Sequence, residues 1–143
     1  MSDQASTANT FNEVADKALL AMKARAGELN IKGVAVVACF EGGVVTGWCS
    51  KMLVVGALKR PPAEPHPGTN FLAVAYSKLA EMADTLQASG SGARPPLKGE
   101  FGYQGGLVVR GRSGYLLAAF SGAKAEDDVK VSQAGLDVMT ASL

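Results

Sequence analysis

Apolar positions along the 143-residue chain switch between a helical and a strand period. Phe11, Val14, Ala15, Ala18, Leu19, Met22 and Ala26 recur at helical spacing, with Asp16, Lys17, Lys23 and Arg25 mainly on the other side. Thr10-Phe11-Asn12-Glu13 has the form of a capping box. The pattern predicts a helix from about Thr10 to Gly27 behind a flexible polar tail, residues 1–9. Val34–Phe40 is continuously apolar and rich in β-branched side chains, the mark of a strand covered on both faces. Glu41-Gly42-Gly43 reverses it, and Val44–Met52 is expected to return as a second strand. Leu53–Leu58 extends that strand or forms a short helix.

Lys59–Asn70 breaks both periods, because four of the six prolines fall within it. Neither a helix nor a central strand persists through such a run. It reads as an ordered excursion or a lid. Thr69 or Asn70 can cap a helix from Phe71 to about Ala88, whose apolar face is Phe71, Val74, Ala75, Leu79, Met82 and Leu86, with Gly90 as its stop. Ser89–Pro96 is a loop, and Lys98–Gln104 is a strand or a pocket wall. Leu107–Val109 and Tyr115–Phe120 flank a reversal at Arg110–Gly114, a hairpin signal. The last helix runs from about Lys124 to Thr140. Gly135 inside it costs on the order of 1 kcal/mol relative to alanine, which points to close packing on the sheet.

The resulting order is α-β-β-α-β-β-β-α, an α+β chain with helices packed on one antiparallel β-sheet. A profilin-like sandwich is one such architecture. Residues 10–143 are enough for one domain with a real core.

Composition narrows the partners. Apolar residues make up 48% and mean hydropathy is +0.13, so the chain can fold. A net charge of +1 creates no field to gather nucleic acid or an anionic membrane. No apolar run approaches a membrane span, and the N-terminus lacks the order of a signal peptide. The expectation is a cytoplasmic protein with no nucleic-acid or membrane partner. Cys39 and Cys49 fit that compartment as reduced small side chains. With a turn centred near Gly42, Cys39 would face residue 45 or 46, leaving Cys49 beyond the roughly 7 Å limit for a bridge.

Candidate chemistry is sparse. His66, the only histidine, lies between Pro65 and Pro67. It is a solvated loop residue, an imidazole ligand for heme iron or another metal, or an acid–base group. Proline stiffening would lower the entropy lost on holding it. Trp48 is a burial anchor or a stacking surface. Gly105-Gly106 marks a close backbone approach or a sharp turn, but lacks the strand-before, helix-after context of a phosphate cradle. Glu126, Asp127 and Asp128 read as ordinary dipole chemistry in a first helical turn. No compact His/Asp/Glu cluster favours free-iron chemistry.

The stretch Gly105-Gly106, Ser121-Gly122, Glu126-Asp127-Asp128 and Ala134-Gly135-Leu136 resembles the C-terminal half of the GlcG/HbpS-like heme-binding family. Lys51-Met52 stands where that family often has Arg-Met, and Lys78 where its second helix commonly carries Lys. The likeness covers most of Thr10–Met139. Ser121-Gly122-Ala123-Lys124-Ala125 departs from the family's Ser-Gly-Gly-Thr-Pro, and a single histidine excludes a bis-histidine heme site within one protomer. The resemblance implies a profilin-like fold, assembly into homo-oligomers (dimers or larger), and binding of heme or a related ligand in some members.

Two functional classes are therefore carried forward. In a small-molecule or heme-binding protein, His66, Tyr76, Tyr103 or Tyr115 would ligate iron, and Trp48, Phe101 and Met52 would supply apolar walls. In an enzyme or accessory subunit, the pocket would lie between protomers. His66 would then act as acid–base, with Lys78, Arg94 or Lys98 holding a substrate carboxylate under the proline-rich lid.

Overall fold

The computed structural model describes residues 3–143, with side chains described from Thr10 onward. Its elements in chain order are α1 (Asp3–Glu28), β1 (Gly33–Glu41), β2 (Cys49–Val55), β3 (Lys59–Arg60), β4 (Thr69–Asn70), α2 (Phe71–Thr85), β5 (Gly106–Arg110), β6 (Gly114–Ser121) and α3 (Ala125–Ser142). The long strands form one antiparallel sheet in the order β2-β1-β6-β5. This is the expected mixed α+β architecture, with helices packed on the sheet.

Why both faces are covered follows from β1. Its side chains alternate across the pleat. Ala35 and Val37 join Phe11, Met22, Phe120, Leu136 and Met139 in a core beneath α1 and α3. Val34, Val36 and Phe40 join Leu79, Met82 and Leu117 in a second core beneath α2. Strand β1 is thus sandwiched, as its unbroken apolar run requires. Fully burying each of its valines stabilises by about 1.5–3 kcal/mol in transfer terms.

Three expectations need correction. Helix α1 starts at Asp3 rather than at the Thr10 capping box. No glycine or proline precedes Gly27, so nothing in the chain forces a break at Thr10. Met1 and Ser2, at the start of the expected tail, lie outside the described residues. Strand β2 starts at Cys49, not Val44, because Gly42–Trp48 form a longer connection. The register then sets Cys39 directly opposite Cys49, which overturns the separation inferred for this pair. Finally, of the two alternatives for Lys98–Gln104, the strand is not formed, whereas Gly102, Tyr103 and Gln104 do line a cavity. Gly99 and Gly102 within it, and Gly105 just after it, adopt positive φ, so the segment does not run extended.

The proline-rich excursion is ordered by its own small hairpin. Strands β3 and β4 pair Lys59 with Asn70 and Arg60 with Thr69. A tight turn at Ala63–His66 closes it, with backbone bonds in both directions. Asn70 then caps α2 by accepting a hydrogen bond from the Ala73 amide at 3.0 Å. Helix α2 ends earlier than Gly90, at Leu86 in the left-handed region, whose amide bonds back to Met82. Gly135 is explained by α1 as well as by the sheet. A Cβ there would sit 2.6 Å from the Met22 sulfur and 3.6 Å from Ala118. Among the described residues, no helix is long and apolar enough to cross a membrane.

Candidate functional site

Four segments converge at one end of the sheet. The α2 N-terminal half brings Phe71, Val74 and Lys78. The β6–α3 connection brings Ser121, Gly122, Ala123 and, from the first turn of α3, Asp128. The small hairpin brings Arg60 and His66, and the loop before β5 brings Tyr103 and Gln104. Together they line an open cavity of about 520 Å³, within the range typical of small-molecule sites.

The floor is an ion pair. Lys78 Nζ donates to Asp128 Oδ2 at 3.1 Å and to the Phe120 carbonyl at 2.7 Å. Both side chains are almost fully buried, at 2% and 5% exposure. Asp128 Oδ1 also accepts from the Ala123 amide at 3.1 Å, which ties the β6–α3 connection to the pair. Burial acts on each partner against its charged form. It lowers the Lys78 pKa, with Asp128 opposing the shift. It raises Asp128 to about 6, with Lys78 opposing the shift. Among the described residues, the third N–H of Lys78 has no protein partner.

Gly105 makes room for this arrangement. A Cβ there would lie 2.5 Å from Lys78 Nζ and 2.8 Å from the Asp128 Cβ, at φ +129°. Its carbonyl is held by the Ser132 hydroxyl. Gly106 makes room in the same way. Its amide donates to Ser89 Oγ at 2.8 Å, and Met82 packs where a side chain would be. The close backbone approach expected of this glycine pair is therefore made against Lys78, Asp128 and Met82.

The mouth is cationic and aromatic. The Arg60 guanidinium stands over the Phe71 ring at 5.5 Å from its centre. His66 is exposed at the hairpin tip. Its Nδ1 accepts from the Gly68 amide at 3.0 Å. In the neutral ring this places the proton on Nε2 and makes that nitrogen a donor. Tyr103 stacks on Phe101 with ring centres 5.5 Å apart.

Of the residues singled out in the sequence, the structure gathers His66, Lys78 and Tyr103 at this cavity. The others lie elsewhere. Trp48 sits beside Tyr76 at 6.5 Å, and Tyr76 bonds with Ser50. Tyr115 packs against Phe40 and Arg110. Met52 packs on the core beneath α2. Arg94 is engaged by Asp84 and Glu100. Lys98 is exposed, and Phe101 reaches the site only through its stacking on Tyr103. Apolar walls come instead from Phe71 and Val74.

Sequence reasoning took Asp128 for ordinary first-turn dipole chemistry and passed over Arg60. The signal for Asp128 was present. Asp128, Val131, Ser132, Gly135, Leu136 and Met139 are buried at helical spacing, so this acid lies on the apolar face of α3. Glu126 is on the exposed side, where Lys124 pairs with it at 2.9 Å. Arg60 gave no signal beyond a charge beside prolines. Comparison of the chain with models of known protein families and with curated proteins gives no match.

Proposed function

We propose that the chain is a small-molecule-binding protein of the GlcG/HbpS-like type, whose ligand carries a carboxylate and enters the cavity above Lys78 and Asp128. The observation that carries this reading is the convergence of Arg60 and His66, from the small hairpin, with Lys78, from α2, on one cavity. Lys78 is already balanced by Asp128. Among the described residues, Arg60 has no carboxylate partner, so its fork is free to hold an oxyanion in bidentate fashion. The His66 Nε2–H is a further donor. Phe71 and Val74 suit an apolar body behind the carboxylate. Lys32 and Lys59 line an adjoining groove that shares Arg60; Asp127 and the Glu126-paired Lys124 also line it, so cations outnumber acids there and approach of an anion is favoured.

The test is calorimetry and thermal shift with a panel of small mono- and dicarboxylates on the full chain. A ligand that binds only the folded state raises the melting temperature. Saturable binding at one site per chain is expected. Arg60→Ala should weaken it about tenfold or more, as loss of a charge-assisted pair implies. His66→Ala should weaken it less. No saturable binding by any member of the panel, or affinity unchanged by Arg60→Ala, would overturn the reading. Turnover by an enzyme using His66 as acid–base is read in the same samples by product formation.

A second reading, heme or a related tetrapyrrole, draws on His66 and Tyr103 standing at one cavity, since imidazole and phenolate both ligate heme iron. Ligation through His66 Nε2 would require the proton to move to Nδ1 and the Gly68 hydrogen bond to break. The carboxylate reading needs neither change. Hemin titration followed by absorbance separates the two: a saturable Soret shift lost in His66→Ala supports heme. The GlcG/HbpS-like reading also carries assembly into dimers or larger homo-oligomers, which light scattering measures.

A further inference from the structure

Cys39 lies near the end of β1, and Cys49 opens the edge strand β2. They are direct partners in the antiparallel register. Directly opposed residues project to the same face of a sheet, with Cβ atoms about 4.5–5.5 Å apart. Their Cα atoms are about 4.5 or 5.5 Å apart, depending on which kind of antiparallel position they occupy. Either value falls inside the span of about 4.4–6.8 Å that a disulfide bridges. Both thiols are free; Cys39 is half-buried and Cys49 exposed. Burial, then the neighbouring Cys49 and Glu41, push the Cys39 thiol up to about 11. Cys39 is therefore a poor first nucleophile, and the exposed partner is the one an oxidant meets.

We propose that Cys39 and Cys49 form a cross-strand dithiol that closes to an intramolecular disulfide when a low-molecular-weight disulfide oxidises it. The Cys49 thiolate attacks one sulfur of the reagent, forming a mixed disulfide and expelling one thiolate. Cys39, losing its proton, then attacks the Cys49 sulfur and expels the second. The protein gives up two electrons and two protons, and the reagent leaves as two thiols. A high thiol pKa slows the second step, but the fixed opposition of the two sulfurs makes it intramolecular and offsets that cost. The closed form straps β2 to β1 and covalently closes the base of the connection Gly42–Trp48, which carries the exposed Val44 and Trp48. An edge strand is held from one side only, so a strap there restrains the region of the sheet most prone to fray.

The pair is separate from the cavity. Along β1, Val34 pairs with the cavity residue Ser121, whereas Cys39 pairs with Leu116 further along β6. Five residue steps of strand separate them, roughly 17 Å at the usual rise, so ligand binding and thiol oxidation are tested independently.

The experiment exposes the reduced, full chain to oxidised glutathione and follows intact mass, thiols alkylated after unfolding, and melting temperature. The expected product is a chain lighter by two hydrogens, with no alkylatable thiol, no intermolecular crosslink and a higher melting temperature. Cys39→Ala should stop at one glutathione held on Cys49. Cys49→Ser, changed at an exposed site, should never show the two-hydrogen loss. The proposal is overturned if wild type retains glutathione, keeps both thiols, or crosslinks between chains, or if wild type and Cys39→Ala give the same product.

Discussion

Helix α2 feeds two ionic clusters that share their chemistry and differ in consequence. Lys78, midway along it, meets Asp128 in the interior. Asp84, near its end, meets Arg94 at the surface, and Arg94 in turn grips Glu100. In the surface cluster the guanidinium donates to Asp84 Oδ2 from Nε and Nη2, and to both Glu100 oxygens at 2.8 and 2.9 Å. The Leu97 amide adds a fifth donor, to Glu100 Oε1. These bonds favour the charged forms. Hydrogen bonding from Arg94, then from Leu97, holds Glu100 down at about 2, and Arg94 is raised. In the buried cluster desolvation outweighs the pairing, so Asp128 is pushed up and Lys78 down. A planar fork with ample donors locks a loop. A single ammonium in a dry floor stays responsive to protons and to a third partner.

Removing one buried charge should do the most damage. Asp128→Ala leaves Lys78 without its counter-ion and the Ala123 amide without its acceptor. A loss of about 3–5 kcal/mol is expected, the usual cost of an uncompensated buried charge. Urea denaturation measures it. Lys78→Met with Asp128→Leu should recover most of that loss, because paired apolar replacement is often near neutral. If the double variant is as weak as Asp128→Ala, packing rather than charge dominates the floor.

Gly105→Ala attacks the same floor from the backbone. At φ +129°, with its new Cβ 2.5 Å from Lys78 Nζ, it forces either the strand entry or the lysine to move. Strain of this kind costs about 1–3 kcal/mol. The variant should also lose carboxylate affinity, whereas Gly42→Ala, where nothing lies within 4 Å, should leave binding alone. Equal effects at the two glycines would mean that positive φ, shared by both, matters and the lysine contact does not.

The pH response separates the two clusters further. The Asp128 carboxyl ionises at about 6 in the fold against 3.8 without its surroundings. Between those values the folded chain binds more protons than the unfolded one, so this group's contribution to stability rises as pH falls through 6. The pair titrates as a unit, so the step belongs to both residues. Asp128→Asn mimics the protonated carboxyl: it removes the counter-ion of Lys78 as Asp128→Ala does but keeps an oxygen acceptor, so it should cost less by about the 1 kcal/mol of a retained hydrogen bond. Measured against it, wild type should gain stability between pH 7 and pH 5. A constant difference across that range would show that Asp128 is not held up by burial.

Much of this was legible in the sequence, for definite physical reasons. Val34–Phe40 and Tyr115–Phe120 announced the two central strands because both faces of each are covered, so no polar position interrupts them. The cap of α2 was legible as Thr69 or Asn70, and Asn70 takes it. Strand β2 was misplaced because Val44 and Val45 have strand-like side chains, whereas the register is set by pairing with β1, which no local pattern encodes. The same error hid the opposed cysteines. At the site, His66 and Tyr103 stood out as the histidine and an aromatic between glycines, but only tertiary structure brings the hairpin to the loop before β5. Trp48, Arg94 and Lys98 were equally plausible by residue type and lie away from the cavity. Residue chemistry names candidates; the topology selects among them.

The surface cluster should give the mildest effect, and one that differs in kind. Arg94 and Glu100 lie on the loop between α2 and β5, and Asp84 anchors them to the end of the helix. Arg94→Ala should therefore loosen that loop while the two cores, which contain none of these residues, keep their packing. Amide exchange should rise at Leu97 and Glu100, whose own amides depend on the folded loop, with little change in β1 or β6. Acid response should change in the opposite direction to that of Asp128. A carboxylate held below its ordinary pKa adds stability above about 4.5, and that stability is lost as pH falls toward about 2. Arg94→Ala removes this loss, so its loop should become less sensitive to acid than that of wild type. If exchange instead rises throughout the sheet, the cluster supports the whole fold, and the division between a locking surface cluster and a responsive buried pair fails.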